Sequence, residues 1–436
     1  MQNGRVINRN LFKLDIVLIL YLFLWLFDPP LIKNFSFEPI LTIYSIIYVV
    51  LNYGYAKVAI AKSRITIFIK GYLLYFIYGV VITGLNFLFR NDVNLTSAFL
   101  NTFIGLISYG LYIIAIGLFV TTRSQKKGYD FYFLIKMIIF AASIQAVLVI
   151  ASFLSSDIKN YFIQIMSTNI SSSNKISTYV TDISGKRNFG FAYSLYDMFG
   201  YVTSIMFITT FNYALYRNKL YFIISGAIFM MPLLNSRTGL LLSVLGLIIS
   251  LLLYLIYSGK ATSFLKVLFS LLILSYLLSA VFNLIQLNAP TTYTWMKEGI
   301  DSTIALITEG EVTGGYYTNA SMFWFFPTDL SIIFGTGLTP KDLINTGSDV
   351  GYVNVIWKFG IVGLLIVIAL YTKLLKTVIK TSDSGLKKAI GFYLIFSVLI
   401  YMVKLDVVKA SPGAYIMFLL CFIILYDNHE KNTNKT

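Results

Sequence analysis

Arg237 stands in Asn235-Ser236-Arg237-Thr238-Gly239, between the apolar runs LYFIISGAIFMMPLL and LLLSVLGLIISLLLYLIY. Two such runs with almost no loop between them read as a pair of membrane helices. The turn then lies near a bilayer face, where a guanidinium is either a topological signal or a working group. Other chemistries are excluded by counting. The single cysteine, Cys421, falls in the last apolar run, so no intrachain disulfide or cysteine-rich metal site can form. The single histidine, His429, follows that run, which removes a histidine metal cluster and an intramembrane histidine proton relay. Arginines, lysines and carboxylates are left to inspect.

The elements that would position them are dictated by composition. Of 436 residues, 57% are hydrophobic and 12% charged, and the mean hydropathy is +0.77. That balance belongs to a polytopic membrane protein, not to a soluble domain. The apolar stretches approach the roughly 20 residues a helix needs to cross the hydrocarbon core, and none shows the ten-residue alternation of an outer-membrane barrel. The fold class is therefore all-α. About twelve stretches are expected, at 14–27, 39–54, 66–87, 98–121, 131–154, 192–214, 220–234, 239–257, 263–284, 350–372, 389–403 and 410–426. The first follows a basic segment but lacks a small-residue cleavage site, so it reads as a retained helix.

Charge supplies an independent check, because cytoplasmic loops carry the excess of Lys and Arg. With the N-terminus inside, twenty of the 34 basic residues fall in inner segments, including Arg123, Lys126, Arg217, Lys387 and Lys388. Twelve are spread over the longer outer segments, Arg187, Arg237, Lys358 and Lys404 among them. Lys70 and Lys136 complete the total, near predicted inner ends where they can snorkel. Both termini are then expected in the cytoplasm, with Arg237 facing out. The net charge of +15 is largely this inside-positive bias, and no compact basic domain is present to bind nucleic acid.

The chain reads as one membrane domain over 1–436 with two long outer loops, 155–191 and a large one at 285–349 between the ninth and tenth stretches. Loops of that length tend to be lids or binding elements. The second carries Tyr293, Trp295, Tyr316, Tyr317, Trp324 and neighbouring phenylalanines beside Glu298, Asp301, Glu309 and Glu311. Aromatic faces with acidic hydrogen-bond acceptors suit sugars. The alternative is an interfacial helix resting on the membrane through its aromatics.

That loop ends in Gly335-Thr336-Gly337, followed by Ser348-Asp349-Val350-Gly351-Tyr352-Val353-Asn354-Val355-Ile356-Trp357-Lys358-Phe359-Gly360-Ile361-Val362-Gly363. Here the chain resembles the O-antigen polymerase and ligase superfamily of bacterial envelope-polysaccharide proteins. Its members show many helices, a large late outer loop with a G-x-G near its end, and a re-entry helix of the form H/D-x-x-Y-L-x-x-L-x-x-x-G-x-x-G. Asp349, Tyr352, Val353, Gly360 and Gly363 fall on the corresponding positions. Ser236-Arg237-Thr238-Gly239 matches the family's S-R-x-G turn, and Arg187-Asn188-Phe189-Gly190 loosely matches a second arginine motif. The ligases carry a histidine where this chain has Asp349, so the resemblance is better to the polymerase branch.

The resemblance implies a polysaccharide polymerase of the bacterial cytoplasmic membrane. It would join undecaprenyl-diphosphate-linked oligosaccharide repeats on the outer face and release undecaprenyl diphosphate. Donor and acceptor are lipid-linked glycans, a flippase and a chain-length regulator are the implied partners, and no metal or other cofactor is expected. The donor already carries its leaving group, so the protein must hold an anion, orient a sugar hydroxyl and take up its proton. Arginine forks onto phosphate oxygens, which makes Arg237 and Arg187 the candidate diphosphate ligands. Asp349, at the helix mouth, is the candidate base or alternatively a helix cap. Lys358 either lines the site or pairs with an acid. Asp197, Tyr352 and Trp324 complete the candidate substrate-binding set, Asp197 being alternatively an ion-pair partner for Arg187. A transporter or flippase is the rival class. It would show two similar halves and acids buried at mid-membrane, and the chain shows neither.

Overall fold

A computed structural model describes residues 14–32, 35–90, 95–169, 187–188, 190–192, 197–258, 261–309, 325–344, 348, 350–403 and 411–433. At some helical positions, Asp197 and His429 among them, only the backbone is described. Every regular element among the described residues is an α-helix.

The helices are α1 (Ile16–Phe27), α2 (Phe37–Leu51), α3 (Tyr53–Ser63), α4 (Ile65–Arg90), α5 (Thr96–Lys127), α6 (Phe131–Leu154), α7 (Ser156–Asn169), α8 (Asp197–Tyr216), α9 (Tyr221–Asn235), α10 (Arg237–Ser258), α11 (Ala261–Asn288), α12 (Pro290–Glu309), α13 (Ser331–Phe334), α14 (Pro340–Ile344), α15 (Gly351–Thr381), α16 (Gly385–Met402) and α17 (Pro412–Thr433). Seven of these, α4, α5, α6, α8, α10, α15 and α16, are long and apolar enough to cross a membrane. Their outer faces are greasy, with Leu88, Leu100, Val147 and Leu365 all exposed. Such a surface is that of a polytopic membrane protein, since water would not tolerate it.

All twelve expected stretches fall largely within helices, but fewer than twelve pass as spans. The stretch expected at 39–54 stops at Leu51, bends by 106° at Asn52 and continues as α3, and the pair would add one span. α1, α9 and the apolar part of α17 are shorter apolar helices. The stretch at 263–284 lies inside α11, which is not among the seven. The two long loops are also partly helical. α7 occupies the start of 155–191, and 285–349 opens with the end of α11, then α12, and later holds α13 and α14.

Helix starts follow the capping residues in the sequence. Asp15 accepts from Leu18 N–H at 3.1 Å, Asp130 from Phe133 N–H at 2.8 Å, and Gly128 closes α5 with a φ of 67°. One end of the bundle is held by charge. Arg123 forks onto Asp15 at 2.6 and 2.8 Å, and Tyr129 donates to the same carboxylate at 3.0 Å. Nearby, the buried Lys387 ammonium contacts Asp427 at 2.5 Å and Asp383 at 2.8 Å, while Asp427 also accepts from Phe131 N–H. α6 runs from this charged end to the opposite one. Its Ser152, about 30 Å along the axis from Phe131 at 1.5 Å per residue, meets the loop that carries Arg187.

α15 is broken. Gly360 has φ 65° and ψ −176°, which interrupts the helical hydrogen bonds on either side of it. The carbonyls so released are met by the Gly335-Thr336-Gly337 segment. Thr336 N–H donates to Trp357 O at 2.7 Å and Gly337 N–H to Lys358 O at 2.8 Å. The fit demands glycine on both sides. Gly335 and Gly337 have φ of 89° and 74°, and a Cβ at Gly360 would collide with the Ile333 carbonyl. The two glycine motifs of the sequence are thus one interlocked joint.

Gly360→Ala therefore combines a positive φ with a backbone clash and is expected to cost about 2 kcal/mol or more. Gly226→Ala, inside α9 where an added Cβ meets no atom within 4 Å, should stabilise by about 0.5–1 kcal/mol. Thermal unfolding of the two variants in detergent checks the contrast, and a Gly360→Ala protein as stable as the parent removes the joint from the account.

Candidate functional site

The Asn235-Ser236-Arg237-Thr238-Gly239 turn is built by its short polar side chains. Asn235 ends α9 and Ser236 is extended, with φ −149° and ψ 120°. The Ser236 hydroxyl accepts from Gly239 N–H at 3.0 Å, capping α10. Gly239 also lets α8 approach, because a Cβ there would lie 2.7 Å from Gly200 Cα. The S-R-x-G motif is thereby accounted for, except for the arginine.

Arg237 is the first residue of α10, where the helix dipole disfavours a cation. Its side chain is only 18% exposed and needs compensation from elsewhere. Nη2 donates to Trp295 O at 2.6 Å and reaches Glu298 Oε2 at 3.4 Å. Its guanidinium carbon also lies 5.0 Å from the centre of the Trp295 ring. Trp295 and Glu298 both belong to α12, which packs against α9 and α10 and buries Thr292 and Met296.

Arg187 arrives at the same ring from a remote part of the chain. Its guanidinium carbon lies 4.9 Å from the Trp295 centroid. The two cationic carbons are thus within about 10 Å of each other, on one indole whose electron-rich faces attract cations. The segment that delivers Arg187 is pinned to the turn that delivers Arg237. Fully buried Asn235 accepts from Asn188 N–H at 2.7 Å and donates to Met231 O at 2.8 Å. The Asn188 side chain in turn accepts from Ser152 at 3.3 Å. Gly190, at φ 62°, lays this segment against α6, where a Cβ would meet Val149 N at 3.0 Å. α7 lies alongside, with Phe162 stacked on Phe191 at 5.2 Å, and burial pushes the Lys159 ammonium below the ordinary lysine value.

Such a site suits an anion bearing more than one charge. Two guanidiniums are held in fixed positions, while the Glu298 carboxylate that faces Arg237 is 66% exposed. An exposed ion pair of this kind contributes about 0–1 kcal/mol, so a phosphate can displace it at little cost.

The remaining candidates distribute differently. Lys358 sits two residues before the break in α15 and lines a cavity with Asn101, Thr102 and Asp342. Half-buried Tyr352 donates to Leu399 O of α16 at 3.2 Å, a packing contact. Asp349 and Trp324 lie outside the described residues, as does the Asp197 side chain at the start of α8. The cap position of α15 is taken by Val350. Trp295, Asn235 and Asn188 are the site residues that sequence reasoning left among loop aromatics or as motif neighbours. Only the three-dimensional convergence of three segments sets them apart. No protein-family model matches the chain, and no curated protein sequence does.

Asn235→Leu should leave the buried Asn188 N–H without its acceptor, at a cost of about 1–3 kcal/mol. It should also loosen Arg187 while leaving the α10 cap intact. Limited proteolysis around residue 187, compared between the variant and the parent, tests this, and equal protection would show that Asn235 does not hold the segment.

Proposed function

We propose that the protein is a metal-independent membrane glycosyltransferase that polymerises lipid-diphosphate-linked oligosaccharide repeats on the outer face of the bacterial cytoplasmic membrane. The observation that carries this reading is the meeting of Arg187 and Arg237 on Trp295. A paired guanidinium site beside an apolar bundle matches a lipid diphosphate, whose charge needs a fork and whose tail needs grease.

In this reading about twelve membrane passes place both termini in the cytoplasm. The charged end of the bundle, with Arg123 and Lys387, faces inward, in line with the inside-positive bias, and the arginine pair faces out. The hydroxyl at the non-reducing end of the acceptor repeat attacks the anomeric carbon of the donor glycan. The new C–O bond forms as the bond to the diphosphate breaks, and undecaprenyl diphosphate leaves with the charge that Arg187 and Arg237 stabilise. Asp349 takes the hydroxyl proton as general base. The protein would act with a flippase that delivers repeats and a partner that sets chain length.

A flippase is the second reading, favoured by the broken helix α15, since discontinuous helices occur at transporter binding sites. The two readings differ in where repeats accumulate on loss of function. Arg237→Ala and Arg187→Ala should each cut polymer at least about 100-fold, the scale for removing one charge-stabilising donor. Single lipid-linked repeats should then collect at the outer face. Accumulation on the cytoplasmic face supports the flippase instead, and full-length polysaccharide from Arg237→Ala rules out the arginine site. Asp349→Asn keeps the size of the side chain but cannot accept a proton. Its polymer yield should fall comparably, and near-normal yield would exclude Asp349 as the base.

A further inference from the structure

We propose that the cavity beside the break in α15 is a subsite for a single pyranose ring of the glycan, separate from the arginine pair. The cavity measures about 180 Å³ and lies between α4, α5, α14 and α15, with Tyr75, Asn101, Thr102, Asp342, Lys358 and Phe359 in its wall. A cavity of about 150 Å³ suffices for a six-membered carbon ring, so the volume suits one sugar and not an oligosaccharide.

The lining is wrong for lipid and right for a polyhydroxylated ring. Hydrocarbon chains cannot satisfy an ammonium, a carboxylate, an amide and a hydroxyl, and such groups beside membrane-type helices mark water-filled or ligand-filled space. Lys358 donates only, the Asp342 carboxylate accepts only, Asn101 does both, and the Thr102 hydroxyl, whose proton goes to Ala98 O, accepts. Opposite charges in one small cavity favour a neutral ligand with donors and acceptors over a simple anion. The apolar back of the cavity includes Phe359 and Tyr75, buried rings that meet edge-on at 5.3 Å, together with Leu106 and Val355.

The polar groups are held in place. Asp342 accepts from Thr339 N–H at 3.1 Å and from the Thr339 hydroxyl at 2.5 Å, and Thr102 donates to Ala98 O at 3.2 Å. Lys358 is set by the glycine joint, since its own carbonyl binds Gly337 N–H. Asn101, Gly105 and Asp342 are exposed, so the cavity is open at its edge. The inference deepens the polymerase reading and rests on it for the polymer to which the ring belongs. The binding of the ring itself stands on the cavity alone.

Gly105 provides the test. It lines the cavity, and an added Cβ there meets no atom within 4 Å, so Gly105→Leu adds volume at the cavity with room for its Cβ and improves helix propensity. Saturation-transfer NMR on the full chain in nanodiscs, with free glucose, galactose and N-acetylglucosamine as probes, should show saturable binding of at least one sugar. Gly105→Leu should weaken it at least tenfold. Asp342→Asn and Thr102→Val serve as second variants that leave the backbone alone and should weaken it severalfold. Arg237→Ala should bind the ring as the parent does. Absence of saturable binding by all three sugars, or binding that survives Gly105→Leu, overturns the subsite. Binding lost in Gly105→Leu and kept in Arg237→Ala supports it, even if Arg237→Ala still makes polymer, an outcome that sinks the polymerase reading alone.

Discussion

A polar group without a partner in an apolar surrounding costs several kcal/mol, and this constraint organises the molecule more than any single contact. It acts first on the backbone. The break at Gly360 exposes carbonyls that water would meet in a soluble protein. Here they are met by N–H groups of Thr336 and Gly337, delivered by a loop that has to follow the break closely. It acts next on charge. Asp15 with Arg123, and Lys387 with Asp427 and Asp383, bring ions into a buried end only as pairs with further hydrogen bonds. Losing one partner of such a pair would strand the other, which is why these contacts fix the register of α1, α5, α6, α16 and α17 so firmly.

Against that background, the arginine pair stands out. Arg237 opposes the α10 dipole, and its carboxylate contact is long and exposed, unlike the short buried pairs at the other end of the bundle. Two cations sharing an indole are tolerated because each is partly satisfied by the π face, and Arg237 further by a carbonyl.

Much of this was legible beforehand. The apolar runs marked the helices because length and composition alone satisfy the bilayer requirement, and the all-α class followed from them. The turn at Arg237 stood out because a charge between two greasy runs has few innocent explanations. Less visible was the 106° bend at Asn52, since apolar and aromatic residues continue on both sides of it, from Val50 and Leu51 to Tyr53 and Tyr55. The helical content of 285–309 was hidden for a related reason. α12 shows its apolar face only as a spaced stripe, Thr292, Tyr293 and Met296, within a polar segment.

The sequence by itself determined the solvent this protein is made for, most of the apolar helices, and the two arginines that stand against the inside-positive trend. Those are local properties, set by composition and spacing. Tertiary structure alone decided that Arg187 and Arg237 meet, that Trp295 is where they meet, and that Lys358 lines a cavity with Asn101 and Asp342. The physical reason is distance along the chain. Asn235 and Asn188 are 47 residues apart, and nothing in either segment specifies the other until the bundle has packed and one buried amide has to find its acceptor.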